Sequence, residues 1–202
     1  MTRHEVIKDY RVREILEAAR TVLGRFGIEG TTIDRTAKEA GIGKGTIYLY
    51  FQAKEELVHA AIKEGIRALN AEMVRADDPS LAPIERLRHL IRAGFRVQAS
   101  NEDFLRTFIL GNSLQIEPDS SRGREYIALY RQYLDWLAAL IQDGIDKGAV
   151  RTIDPQFAAT MLSEMMTASL RRRVLGITST PIEKDADKVV ELFLKGVQTP
   201  DQ

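Results

Sequence analysis

The chain has 202 residues, a formal net charge of zero, 44% hydrophobic residues and no cysteine. That is enough apolar material for a filled core, which excludes global disorder, and the lack of thiols excludes a disulfide framework or a thiolate metal site. No apolar run approaches the roughly 20 residues of a membrane span, and the N-terminus MTRHEVIKDYRVREIL has no signal-peptide core, so the expected setting is the cytoplasm without membrane contact.

The elements are predicted to be helices throughout. Val12, Ile15, Leu16, Ala19, Leu23 and Phe26 fall on one face of a helix over 10–26, and Gly27 follows as its left-handed terminator. Thr31-Thr32 starts a short second helix ending at Gly41. A third runs over about 44–50. The fourth begins near Ala53-Lys54 and reaches Ala76, with Glu55 and Glu56 in its first turn, before Asp77-Asp78-Pro79-Ser80 breaks it. Residues 83–99 form a fifth helix and Asn101 caps a sixth. After a loop over 115–121, a seventh covers about 122–147. Asp154-Pro155 opens the eighth, which reaches Leu175, and the ninth covers 183–197.

The zero net charge hides an asymmetry. Residues 1–54 carry ten Lys and Arg against seven Asp and Glu, whereas the remainder carries nineteen against twenty-two. A basic head on an acidic body suits a polyanion partner at one end.

That head holds the stretch Gly41-Ile42-Gly43-Lys44-Gly45-Thr46-Ile47-Tyr48-Leu49-Tyr50-Phe51. A glycine run with a Lys points to phosphate, but not to a nucleotide. The P-loop pattern needs Ser or Thr after the Lys and a preceding strand; here Gly45 follows Lys44 and the preceding segment is helical. The dinucleotide pattern fails because its last glycine would be Thr46. Two short helices joined by a Gly-containing turn instead match a helix–turn–helix, whose second helix enters the DNA major groove. Gly41 takes a positive φ, Gly43 leaves the next helix end open, and Gly45 costs about 1 kcal/mol relative to Ala unless a backbone must approach DNA closely.

On these residues the sequence resembles the TetR family of bacterial transcriptional regulators. The matching blocks are Gly30-Thr31-Thr32-Ile33, Ala37-Lys38-Glu39-Ala40-Gly41-Ile42, the run from Gly43 to Phe51, and Lys54-Glu55-Glu56-Leu57; a weaker one spans Gly144 to Arg151 with Asp154-Pro155. The resemblance implies an all-α, nine-helix, two-domain homodimer. Residues 1–53 would be the DNA-binding helix–turn–helix domain and 54–202 the ligand-binding and dimerisation domain. By position, Thr32, Tyr48 and Lys54 would hold phosphates, and Lys44, Gly45, Thr46, Leu49 and Tyr50 would face the groove, entered at Gly43. The chain departs from the family's pattern at Tyr50, where His is frequent, at Gly43 and Ala53, where Ser is frequent, and at Thr36, where an apolar residue is usual. Ile47 and Phe51 are read as core.

In the body, Phe95, Phe104, Phe108, Tyr126, Tyr130, Tyr133, Met161 and Met165 are candidates for a ligand pocket, against the alternative of ordinary core. Buried Tyr hydroxyls need partners, which a ligand could supply. Ala158, Met161, Leu162, Met165 and Leu170 on the eighth helix, with Val189, Val190, Phe193, Leu194 and Val197 on the ninth, are expected to build a dimer interface. His4, His59 and His89 have no metal-ligand spacing, and no nucleophile–His–acid arrangement occurs, so neither a metal, a cofactor nor catalysis is expected. The reading is a ligand-responsive repressor that binds an inverted-repeat operator in double-stranded DNA and is released by a small apolar or amphipathic effector. A regulator without an effector, or an activator, is the alternative.

Overall fold

The computed structural model describes residues 3–110, 117 and 119–198, and the side chains of 5–107, 117 and 119–198. Nine helices form among them: α1 (Arg3–Gly30), α2 (Ile33–Glu39), α3 (Lys44–Tyr48), α4 (Lys54–Arg75), α5 (Pro83–Ser100), α6 (Glu102–Leu110), α7 (Ser121–Asp146), α8 (Pro155–Val174) and α9 (Ile182–Val197). By packing, the chain divides into two units. One holds Met1–Ala68 and Asn101–Arg122, the other Leu69–Ser100 and Gly123–Gln202. The first unit therefore reaches past residue 53 and takes in the start of α4 and all of α6.

In the first unit, α1 buries most of the expected face: Ile15, Leu16, Ala19 and Leu23 are at most 9% exposed, Val12 is half-buried, and Val22 joins them unforeseen at 1%. It begins seven residues earlier than its apolar period, because residues 3–9 contain neither Gly nor Pro to stop it. Val6 and Ile7 on that extension, and Tyr10 just after it, are exposed. Gly27 breaks α1 at φ 67°, as the sequence predicts. Phe26 does not join the core. It is half exposed, with the Arg35 guanidinium 4.6 Å above its ring.

Helix α6 packs along α1, where the Thr107 hydroxyl donates to the Leu23 carbonyl at 3.1 Å. It also explains a glycine inside α4. A Cβ at Gly65 would lie 2.1 Å from the tip of the buried Phe104 ring, so only hydrogen fits there. Helix α4 lacks a Ser or Thr cap, but the Glu56 carboxylate reaches back to accept from the Gln52 N–H at 2.8 Å.

Thr36 is fully buried in α2, and its hydroxyl has no hydrogen-bond partner among the described residues. Replacing it by the isosteric Val removes a buried polar group without opening a cavity. Thr36→Val is expected to stabilise the chain by about 1 kcal/mol, raising Tm by roughly 2–4 °C for a protein of this size. Calorimetry checks this, and a lowered Tm would contradict it.

The second unit is built on α5, α7, α8 and α9. Leu87, Leu90, Ile91 and Phe95 from α5 meet Leu137 and Ile141 from α7, Ala159 and Leu162 from α8, and the whole apolar face of α9. This corrects the expected dimer interface. Ala158, Leu162 and Leu170 are at most 4% exposed within a single chain, and Val189, Val190, Phe193, Leu194 and Val197 at most 6%. Periodicity reveals an apolar face but not what covers it, and α5 covers this one. Of the predicted set only Met161 is markedly exposed, at 39%.

Two ion clusters fix the ends of elements here. Arg86 is bidentate to Asp77 at 2.7 Å through both Nε and Nη2, with Asp143 3.6 Å away. This ties the segment after α4 to α5 and α7, and the Asp77 carboxylate holds the guanidinium above its ordinary range. Arg173 on α8 pairs with the buried Asp185 on α9 at 3.2 Å. Gly148 ends the α7 turn at φ 70°, and Arg151 N–H then donates to the Val197 carbonyl at 2.8 Å. Asp154 caps α8 by accepting from the N–H groups of Gln156 and Phe157, with Pro155 at the first helical position.

Candidate nucleic-acid interface

Helices α2 and α3 are joined by a turn whose geometry the glycines set. The Ile42 N–H donates to the Ala37 carbonyl at 3.0 Å, and Gly41 at φ 67° lets the chain reverse. Helix α3 is shorter than predicted, five residues, and a tight turn carries it on: the N–H groups of Tyr50 and Phe51 both donate to the Ile47 carbonyl at 2.9 Å. Ile47 is fully buried and Phe51 nearly so, which anchors the inner side of α3 as the sequence predicts.

The outer side carries the candidate residues. Leu49 is 79% exposed and Tyr48 53%. Gly43, Lys44 and Gly45 are exposed, and Thr46, Tyr50, Thr32 and Lys54 half-buried. A Cβ at Gly43 or Gly45 would meet nothing within 4 Å, and φ at Gly43 is −73°, so packing within the chain asks for neither glycine. Thr32 caps α2 by accepting from the Arg35 N–H at 3.2 Å, which leaves its O–H able to donate outward. Lys54 donates to the Glu29 carbonyl at 3.1 Å, at the end of α1.

Sequence reasoning missed Asp34. Its carboxylate lies 3.4 Å from Lys44 Nζ, across the turn between α2 and α3. No local pattern marks it, since residues ten apart meet only once the turn is built. An open cleft of about 200 Å³ on the same unit was also unforeseen; Arg13, Glu17, Arg20 and Glu64 line it beside Leu16 and Ala61.

The eight candidate pocket residues do not share one environment. Phe95 belongs to the core of the second unit, and Tyr133 and Met165 pack against it. Tyr126 is buried in that unit, whereas Tyr130 and Met161 are 39% exposed. Phe104 belongs to the first unit, filled in against Gly65. Phe108 lies outside the described side chains. Tyr130 finds its hydroxyl partner within the chain: it donates to Glu164 Oε1 at 3.1 Å, with Ser163 Oγ at 3.5 Å. Burial raises the Tyr130 phenol, and the Glu164 carboxylate adds to that. Burial pushes the Tyr133 phenol up to about 12. Among the described residues no group of three His, Cys, Asp or Glu could hold a metal ion, and no helix is long and apolar enough to cross a membrane.

Fold and site together define a helix–turn–helix protein with an all-helical body. Residues 15–61 match the model for bacterial regulatory proteins of the tetR family, and residues 80–171 match the tetracyclin repressor-like C-terminal domain. The chain is 30% identical over 159 residues to the HTH-type transcriptional regulator YhgD of Bacillus subtilis, covering 78% of this chain and 81% of that protein. The chain belongs to the tetR family; it is a DNA-binding transcriptional regulator and not an enzyme. Its fold is shared with the transcriptional regulator FadR of Bacillus subtilis, solved in complex with stearoyl-CoA (TM-score 0.74, 22% identity, 92% of this chain and 99% of that one). It is shared too with SmeT, the repressor of the Stenotrophomonas maltophilia multidrug efflux pump SmeDEF (TM-score 0.70, 22% identity, 93% and 90%).

Proposed function

We propose that this regulator is a cytoplasmic repressor that binds an inverted-repeat operator as a homodimer and is released by a small apolar or amphipathic effector. Residues 1–53, with Lys54 just beyond them, make the DNA contacts, and the rest of residues 54–202 holds the effector and the dimer interface. The observation that carries the DNA half is the outward surface of α3. Tyr48 and Leu49 stand exposed, and two glycines there have no reason in the chain's own packing. A close-lying backbone outside the chain supplies one. On this reading Thr32, Tyr48 and Lys54 bind phosphates and fix the register. Lys44, Thr46, Leu49 and Tyr50 meet base edges, with Gly43 and Gly45 admitting the duplex.

The effector half is supported by relatives. SmeT is a repressor, and FadR was solved with stearoyl-CoA. Helix α4 is the mechanical candidate for coupling, because one unbroken helix contributes residues 54–68 to the first unit and 69–75 to the second. An effector that favours a different pose of α4 changes the spacing of the two reading helices. It must bind the two states with different affinity, or nothing shifts.

The test has two stages. Selection from random duplexes should yield an inverted repeat with half-site centres about one helical turn, or a multiple, apart. The selected duplex is then challenged with fatty acids, acyl-CoA esters and apolar drug-like compounds. Release by one of them, with a matching rise in Tm of the free protein, is the expected result. A duplex that none of them releases would favour a regulator without a small-molecule effector.

A further inference from the structure

We propose that Asp34 is a specificity-determining residue, and that Asp34 and Lys44 together read one G·C base pair in each half-site. This rests on the DNA-contact role proposed for α3. Asp34 sits in the first turn of α2 and Lys44 is the first residue of α3, so the turn between the helices brings the two together. Their charged ends lie 3.4 Å apart, and their side chains are 74% and 66% exposed. An ion pair so open to water contributes little to stability, so the fold gives scant reason for it.

Three neighbouring cations are held by other acceptors. Arg25 pairs with Glu39 at 3.2 Å, and Arg35 and Lys54 donate to the carbonyls of Gly30 and Glu29. Of these four cations only Lys44 stands at the entrance of the reading helix, and there an acid holds it. A carboxylate there is costly next to a phosphate backbone. If Lys44 swung away to a phosphate, Asp34 would face the polyanion uncompensated, so the pair penalises contact with DNA of arbitrary sequence.

A base edge treats the pair differently. In the major groove a G·C pair presents guanine N7 and O6 as neighbouring acceptors, then the cytosine N4 amino group as a donor. Lys44 can donate to both guanine acceptors while Asp34 accepts from cytosine N4. An A·T pair instead sets its donor between two acceptors, so the ammonium finds one acceptor where G·C offers two. The side-by-side arrangement of donor and acceptor is thus complementary to G·C in one orientation.

The test uses the full chain and its Asp34→Ala and Asp34→Asn variants. Each is put through selection from a random duplex library and titrated on the selected and a scrambled duplex across a salt series. The wild type is expected to enrich G·C at one position per half-site. Asp34→Ala should lose that enrichment and keep every other position. Asp34→Asn, which removes charge at constant size, should bind the scrambled duplex roughly three- to tenfold more tightly, with a steeper salt dependence. If both variants enrich the same bases as the wild type with an unchanged ratio of selected to scrambled affinity, Asp34 is only a favourable acid at a helix start and the inference is wrong. Should the wild type enrich no duplex at all, the DNA-contact reading fails with it, and that selection alone identifies the case.

Discussion

Tyr48→Phe is expected to weaken binding to every duplex, operator or random, by a similar factor, whereas Thr46→Ala should alter which base is preferred at one position. The two residues sit two apart on α3, Tyr48 53% exposed and Thr46 half-buried, with the fully buried Ile47 between them. If the phenol donates to a phosphate, removing only its oxygen deletes a charge-assisted hydrogen bond worth about 1.5–3 kcal/mol. A two-fold complex loses it twice, so affinity should fall on the order of 10²-fold or more, with no change in the selected sequence. Lys54→Ala should behave like Tyr48→Phe and also make the salt dependence shallower by about one unit per half-site, since each cation on a phosphate releases about one counterion. Lys54 has a second task, because it holds the Glu29 carbonyl at 3.1 Å. Its variant should therefore be compared at matched fraction folded. On the proposed interface the Thr46 methyl touches a thymine methyl, a contact that carries sequence information. Gel-shift titrations over a salt series, on selected and scrambled duplexes, read all three. Intact binding by all three variants would sink the interface assigned to α3.

The double substitution Phe157→Glu, Met161→Glu is expected to turn the proposed dimer into a monomer. With the apolar faces of α8 and α9 spent on the chain's own core, few residues remain to pair two copies. Phe157 (57% exposed) and Met161 (39%) lie one turn apart on α8, and Leu192 on α9 is 69% exposed. Large apolar side chains left outward on adjacent helices are what a two-fold interface would cover. Burying one such side chain is worth about 1.5–3 kcal/mol, and each counts twice across the axis. Losing two of them and burying a charge should raise the dimer Kd on the order of 10³-fold or more. Sedimentation velocity reads the mass, and operator affinity should collapse with it as the second half-site is lost. Neither side chain belongs to the core cluster, so the Tm of the monomer unit should change little. A double variant that remains a dimer would place the interface elsewhere on the chain.

The helix ends were legible because their signals are local. Gly27 and Gly41 adopt the positive φ expected of residues that stop a helix, and Asp154-Pro155 caps and opens α8 as read. The helix–turn–helix was legible for the same reason: its turn and its buried pair, Ile47 and Phe51, lie within eleven residues. The start of α1 was less so. Its first turns bury nothing, and the apolar period reports burial, not helicity.

Sequence alone therefore determined which segments are helical, where glycine and proline punctuate them, and which stripe of most is apolar, because propensity, capping and periodicity act within a few residues of one another. Only the tertiary structure decided what each stripe meets. The face Val189, Val190, Phe193, Leu194 and Val197 reads the same whether its partner is a second copy or α5, since water exclusion is non-directional and leaves no mark of the partner in the pattern. Phe104 likewise reads as a pocket candidate or as ordinary core until α6 sets its ring against Gly65, and Asp34 as one more surface acid until the turn carries Lys44 to within 3.4 Å.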